Sequence, residues 1–289
     1  MDTMPRIEQG PAAAGASGEG PGWPPRLAAA NRYAVLPGGA RVRPRLCLAV
    51  AAACGAPESP LADAAAASIE LLHCASLVHD DLPCFDDAAT RRSRPSVHRA
   101  FDERIAVLVG DALIVLAFQH LARSGAAFPE RLGAAVAELA RAAGAPSGII
   151  AGQGWECEAT VPLVEYQRAK TGALFIAATS SGAIAAGVDG QPWRTLGERL
   201  GEAYQVADDI RDALGTSEEL GKPCGRDAAL GRPSMVAELG AAGAIQYFDR
   251  LVGGLVEAIP PCPGAASLRT LMQLEARRLL PDKLARRAA

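Results

Sequence analysis

Aromatic side chains are scarce: phenylalanine, tyrosine and tryptophan together make up 4% of the 289 residues. A core without rings has to be built from aliphatic and small side chains, which points to alanine-rich helices packed closely together. Neither charge sign dominates, since the net charge is −3 with acidic and basic residues interleaved. That balance leaves no footprint for nucleic acid. No CxxC pair occurs among the seven cysteines, Cys47, Cys54, Cys74, Cys84, Cys157, Cys224 and Cys262. They read as reduced packing thiols of a cytoplasmic protein. A charged segment leading into an apolar core, the mark of a signal peptide, is missing from the N-terminus. The most apolar run, Ile105 to Ala117, is broken by Asp111 and falls short of the ~20 residues that span a bilayer. It reads as a core helix, with no stable membrane insertion expected. Apolar and polar residues never alternate over a sustained stretch, and no repeat of fixed length occurs. The expectation is an all-α helical bundle of one domain over residues 26–289. Residues 1–25, rich in Pro, Gly, Ala and Ser, are expected to be a disordered leader.

What the chain does have is two clusters of carboxylates. The first closes an apolar, helix-period stretch, Leu71 to Leu82, in which Asp80 and Asp81 are followed by Pro83, then Asp86 and Asp87, then Arg91 and Arg92. Proline ends the helix because it has no N–H and clashes with the preceding turn. Carboxylates at a helix C-terminus face the negative end of its dipole and are favoured there only beside a cation. Asp86 reaches the same locus as Asp80 and Asp81 only if the chain folds back at Pro83. His73 lies two turns before Asp80, on the same face and about 10 Å away along the axis. The second cluster, Asp208, Asp209 and Asp212, lies on a helix whose apolar face is Leu196, Leu200, Ala203, Ala207, Ile210 and Leu214. At ~100° per residue, Gln205 and the three aspartates fall opposite that face. Taken alone, this cluster is equally an ordinary solvated helix face, although it lacks the lysines such a face usually carries. Arginines next to carboxylates are also how a protein grips a diphosphate bidentately.

Together these elements resemble the trans-isoprenyl diphosphate synthases. The carrying motifs are DDxxxxD at Asp80 to Asp86, the Arg91-Arg92 pair and the distant DDxxD at Asp208 to Asp212. Gly38 to Pro44 is similar to that family's GGKRxRP, Pro95 to His98 to its RP(T/S)xH, and Gly110-Asp111 to its GD(A/S)L. Lys170-Thr171-Gly172, Gln205 and Gly221-Lys222-Pro223 follow in family order. The resemblance covers about residues 26 to 285 and is strongest to the bacterial geranylgeranyl diphosphate synthases of carotenoid pathways.

The resemblance implies an isoprenoid-synthase helical bundle with a central cavity, a homodimer, and two or three Mg²⁺ ions. It implies a Mg-dependent prenyltransferase that joins isopentenyl diphosphate to dimethylallyl, geranyl or farnesyl diphosphate. Asp80, Asp81 and Asp86 would hold metal on one side, and Asp208, Asp209 and Asp212 on the other. Arg91, Lys170 and Lys222 would contact the allylic diphosphate. Arg43, His73 and Arg92, with Arg41 nearby, would hold isopentenyl diphosphate. Thr171 and Gln205 would line the cavity. Ala40 departs from the family's lysine, which removes a charge worth about 1.5–3 kcal/mol if it made a hydrogen bond. Ser93 stands where a glycine is usual. Ala75, with Ser76 beside it, lacks the bulk that would close the cavity early, which implies a C20 product. Alternatives are a farnesyl (C15) synthase, a terpene cyclase and a non-catalytic regulatory subunit of the same fold.

Overall fold

The helix bearing the first acidic cluster begins where the Ser59 hydroxyl accepts a hydrogen bond from the Ala62 N–H and Pro60 occupies the first turn. A hydroxyl cap followed by an N-terminal proline is a favoured helix start. In this computed structural model the described residues are 6–8, 22–37, 39–215 and 233–281. They form α1 (Pro25–Val35), α2 (Val42–Ala53), α3 (Pro60–Asp80), α4 (Val97–Ala100), α5 (Glu103–Ser124), α6 (Pro129–Ala143), α7 (Ile149–Trp155), α8 (Leu163–Gln167), α9 (Ala173–Ala185), α10 (Arg194–Leu214), α11 (Met235–Leu255) and α12 (Ala265–Leu279). A π-helical turn, Arg168–Gly172, joins α8 to α9. The expected all-α architecture is the one observed. The one addition among the described residues is a two-stranded ribbon, β1 (Thr90–Arg91) against β2 (Arg94–Pro95), within Ala88 to Pro95, a polar, arginine-rich segment that the sequence predicts to be a loop. Its two central residues, Arg92 and Ser93, have φ of 53° and 60°, the left-handed pair that a tight hairpin requires. That backbone is why glycine suits the position Ser93 holds.

Helix α9 is buried on nearly every side, as a helix apolar all round must be. It packs on α2, α3, α6 and α10, while α3 packs most extensively on α5, and α10 on α11. The core is mainly aliphatic, with Leu61, Ile69, Leu71, Leu72, Leu113, Leu174 and Leu196 fully buried among many alanines, and it also encloses two rings, Trp193 and Phe175. The six cysteines among the described residues are all free.

The structure alters three expectations. Helix α2 begins at Val42, whereas the sequence predicts a helix only over Leu46 to Ala53, so Arg43 and Pro44 sit in its first turn, where proline is tolerated. Part of the expected leader is docked: residues 6–8 form a helical turn with Ile7 buried, Arg6 paired to Asp63 and Glu8 paired to Arg41. Helix α5 with its following turn is, like α3, long and apolar enough to cross a membrane by length and composition. Of α3's apolar window 78% is buried in the fold, against 39% of α5's.

Candidate active site

Pro83 does fold the chain back. The Asp86 N–H donates to the Asp80 carbonyl at 3.0 Å, and the Ala88 N–H to that of Asp81 at 3.2 Å. This closure brings Asp86 beside Asp80 at the end of α3. Across the mouth, α10 presents Asp208 and Asp212. The four side chains line one cavity of about 590 Å³ that also takes in Arg43, His73, Arg91, Arg92, Lys170, Thr171 and Gln205. Its apolar wall comes from Leu77, Ile149 and Leu174. A volume of this size suits a small-molecule ligand of drug size or larger.

The aspartates do not behave alike. Asp81 is buried and turned away from the cavity, accepting from Arg91 Nε at 2.9 Å and Nη2 at 2.5 Å. Burial pushes its carboxyl up, and the Arg91 guanidinium pulls against that rise. Its place is behind Arg91, not among cavity-facing ligands. Asp209 is a second correction. It is buried and accepts from Gln167 Nε2 (3.1 Å), Gln205 Nε2 (2.8 Å) and the Met235 N–H (2.7 Å). That makes it a cap for the first turn of α11, facing away from the cavity. Gln205 then receives the Thr171 hydroxyl at 2.5 Å, so Asp209 orients the wall through Gln205. Arg211 reaches back to Asp208 at 3.1 Å.

Lys170 sits on the π-helical turn, an extra-residue bulge often found at functional sites. Its ammonium lies 3.0 Å from Asp80 Oδ1 and 2.6 Å from Glu156 Oε1. The oxygens of Asp80, Asp86 and Glu156 all lie within 4.8 Å of one another. Such a spacing, all oxygen and all carboxylate, fits a hard divalent cation such as Mg²⁺.

Basic side chains share the same lining. Arg43 is buried, with its guanidinium 4.7 Å from the Phe175 ring centre and 5.6 Å from that of Tyr204. Its Nε has no hydrogen-bond partner among the described residues, and burial lowers its pKa. A buried guanidinium so poorly served by hydrogen bonds is costly unless an anion completes it. Arg92 lies over Gly39, whose absent Cβ would come within 2.9 Å of the guanidinium. Arg41 lines the cavity too, but its side chain is fully buried against Glu70 (2.5 Å) and Glu8 (2.9 Å). Burial works against its charge, and those two carboxylates more than compensate. Arg41 therefore braces the loop before Arg43, and its charge is already committed. Ala75 is also corrected: it is buried in the core behind the wall, and Ser76 faces the cavity. Lys222 lies outside the described residues, as do its neighbours Gly221 and Pro223.

Two residues of the site were not anticipated: Tyr166, which lines the cavity, and Glu156, which pairs with the lining residue Lys170. Glu156 and Tyr166 join Lys170 and Gln153 in one hydrogen-bonded group. The available signal was a glutamate ending a short helix, against the dipole.

His73 is held neutral, its pKa well below 6.5, by burial first and then by the charges of Arg43, Arg92, Arg91 and Arg41. The unfolded chain takes up this proton below pH ~6.5 and the folded chain does not, so the contribution is present above that pH and lost as pH falls. At pH 5.5 the loss is about 1.4 kcal/mol for one such group. His73→Gln is expected to lose correspondingly less stability than the wild type between pH 7.5 and 5.5 in urea titrations.

An α-helical cavity in which carboxylates from two facing helices meet Arg43, Arg91, Arg92 and Lys170 fits a class of enzyme that handles diphosphates. The chain belongs to the polyprenyl synthetase family, whose sequence pattern matches residues 24–245. It is 54% identical over 282 residues to the geranylgeranyl diphosphate synthase of Cereibacter sphaeroides, covering 98% of each chain. Its identity to the geranylgeranyl diphosphate synthase of Rhodobacter capsulatus is 50% over 257 residues, 89% of each. Among solved structures it is similar to an FPP/GFPP synthase from Zymomonas mobilis, with TM-score 0.80 and 30% identity over 95% of this chain and 97% of that one. It is also similar to a geranyltransferase from Helicobacter pylori complexed with magnesium and isoprenyl diphosphate, at TM-score 0.79 and 28% identity over 96% and 98%.

Proposed function

We propose that this chain condenses isopentenyl diphosphate with allylic diphosphates and carries the product to geranylgeranyl diphosphate (C20). The observation that carries the reading is one cavity lined by two acidic clusters together with Arg91, Arg92, Lys170 and the buried Arg43, whose Nε has no hydrogen-bond partner among the described residues. Asp80, Asp86, Asp208 and Asp212 would hold Mg²⁺, which neutralises charge on a departing diphosphate. Lys170 and Arg91 face the same end and would grip the allylic diphosphate. Arg43 and Arg92 would take isopentenyl diphosphate, with neutral His73 as a hydrogen-bond donor or acceptor beside them. Held so, the two substrates react without a search for orientation. The allylic C–O bond breaks, the isopentenyl double bond forms the new C–C bond, and a proton leaves to the released diphosphate. Leu77, Ile149 and Leu174 exclude water and receive the growing chain.

The test is extension of labelled isopentenyl diphosphate on separate allylic primers, with Mg²⁺ or with chelator. C20 product that disappears with chelator is expected. No product from any primer would instead make the chain a non-catalytic relative.

Product length follows from the wall of α3. Ser76→Phe places a ring in the cavity and is expected to shift the main product from C20 to C15, read by chromatography. An unchanged C20 product would place the end of the chain elsewhere.

The reading extends to a homodimer. Val107 and Val115 of α5 are exposed one turn either side of Asp111, and Leu108 is exposed beside them. A second copy would cover that stripe.

A further inference from the structure

Glu156 follows the last turn of α7, where a carboxylate is favoured only beside a cation. Its Oε1 accepts from Lys170 Nζ at 2.6 Å and from the Tyr166 hydroxyl at 2.5 Å, and its Oε2 from Gln153 Nε2 at 3.2 Å. Both oxygens are thus held, and the side chain is locked. The backbone enforces the meeting as well. Gly152 of α7 lies against the π-helical turn so closely that a Cβ would come within 2.3 Å of Lys170 N and Cα.

Lys170 has a second carboxylate, Asp80, at 3.0 Å. An ammonium paired to Asp80 alone competes for that oxygen with any divalent cation. An ammonium already paired to Glu156 can leave Asp80 and keep an ion pair. The side chains of Glu156 and Asp80 are 10% and 13% exposed, so these attractions are only partly screened by water.

We propose that Glu156, locked by Tyr166 and Gln153, is a positioning residue that draws Lys170 off Asp80, leaving Asp80 to the divalent cation and Lys170 poised for diphosphate. The inference rests on reading the cavity as a metal-dependent prenyltransferase site.

The probe is Mn²⁺ with inorganic diphosphate, free Mn²⁺ being read by electron paramagnetic resonance on the full chain. Glu156→Gln is expected to weaken Mn²⁺ binding about tenfold, the value of roughly one charged hydrogen bond. Adding Lys170→Met to that variant is expected to restore binding to the level of Lys170→Met alone, because no ammonium then competes. Unchanged binding in Glu156→Gln would overturn the proposal. Binding still weakened in the double variant would also overturn it, making Glu156 a ligand itself. If Glu156→Gln does not fold, Tyr166→Phe carries the same comparison: a loss of about threefold that Lys170→Met erases is expected, and no loss overturns the proposal. Wild-type protein that binds no Mn²⁺ would sink the functional reading, and this inference with it. A wild type that binds while the variants misbehave sinks only the inference.

Discussion

Asp80→Asn is expected to lower kcat by about 10²–10³-fold while leaving the melting temperature unchanged or higher. Asp80 sits between Lys170 at 3.0 Å and Arg91 at 3.5 Å, with Asp86 and Glu156 oxygens close by. Three carboxylates in so small a space repel one another, and neutralising one relieves that repulsion. Asparagine is close in shape and can still accept from Lys170. What it removes is negative charge where a divalent cation would be held, and losing one such electrostatic element typically costs two to three orders of magnitude. Asp209→Asn supplies the opposite case from within the second cluster. Its carboxylate accepts from Gln167, Gln205 and the Met235 N–H. Its loss is expected to destabilise the fold by about 1–3 kcal/mol and to change kcat far less than Asp80→Asn does. Steady-state rates at saturating substrates, paired with thermal melts of both variants, separate the roles. Similar losses of kcat in the two would mean that Asp209 also reaches the cavity.

The contrast shows where sequence was enough. Spacing along one helix is local information, and the face shared by His73, Ser76 and Asp80 emerges from it directly. So does the reversal at Pro83, because a proline after two aspartates has few alternatives. The orientation of Asp209 depends instead on where the N-terminus of α11 arrives, 26 residues further on. No periodicity contains that. Ala75 and Ser76 differ by ~100° around α3, and the spacing favours Ser76, whereas the family resemblance points to Ala75. The family resemblance puts Arg41 near the isopentenyl diphosphate contacts, beside Arg43. Its actual partners, Glu70 and Glu8, are 29 and 33 residues away. The partner of Glu156 was hidden for a related reason: it meets Lys170 only because of the π-helical turn and the bare backbone at Gly152.

Arg43→Met is expected to raise stability and weaken isopentenyl diphosphate together. The guanidinium is buried, its Nε lacks a hydrogen-bond partner among the described residues, and its desolvation is offset by the rings of Phe175 and Tyr204 and the charge of Glu70. Replacing an ill-paired buried charge by a well-packed apolar side chain is commonly neutral or stabilising by 1–4 kcal/mol. Methionine keeps favourable contact with both rings through its sulfur. Each kcal/mol gained raises the melting temperature by about 2–4 °C in a chain near this size. The same change removes a cation from the cavity lining. A charged hydrogen bond is worth about 1.5–3 kcal/mol, so KM for isopentenyl diphosphate should rise roughly 10- to 150-fold, with KM for the allylic primer little changed. A residue retained for packing would show the reverse, a lower melting temperature and an unaltered KM. Stability sacrificed for an anion is the signature of a binding residue, and both halves of that exchange are measurable in one variant.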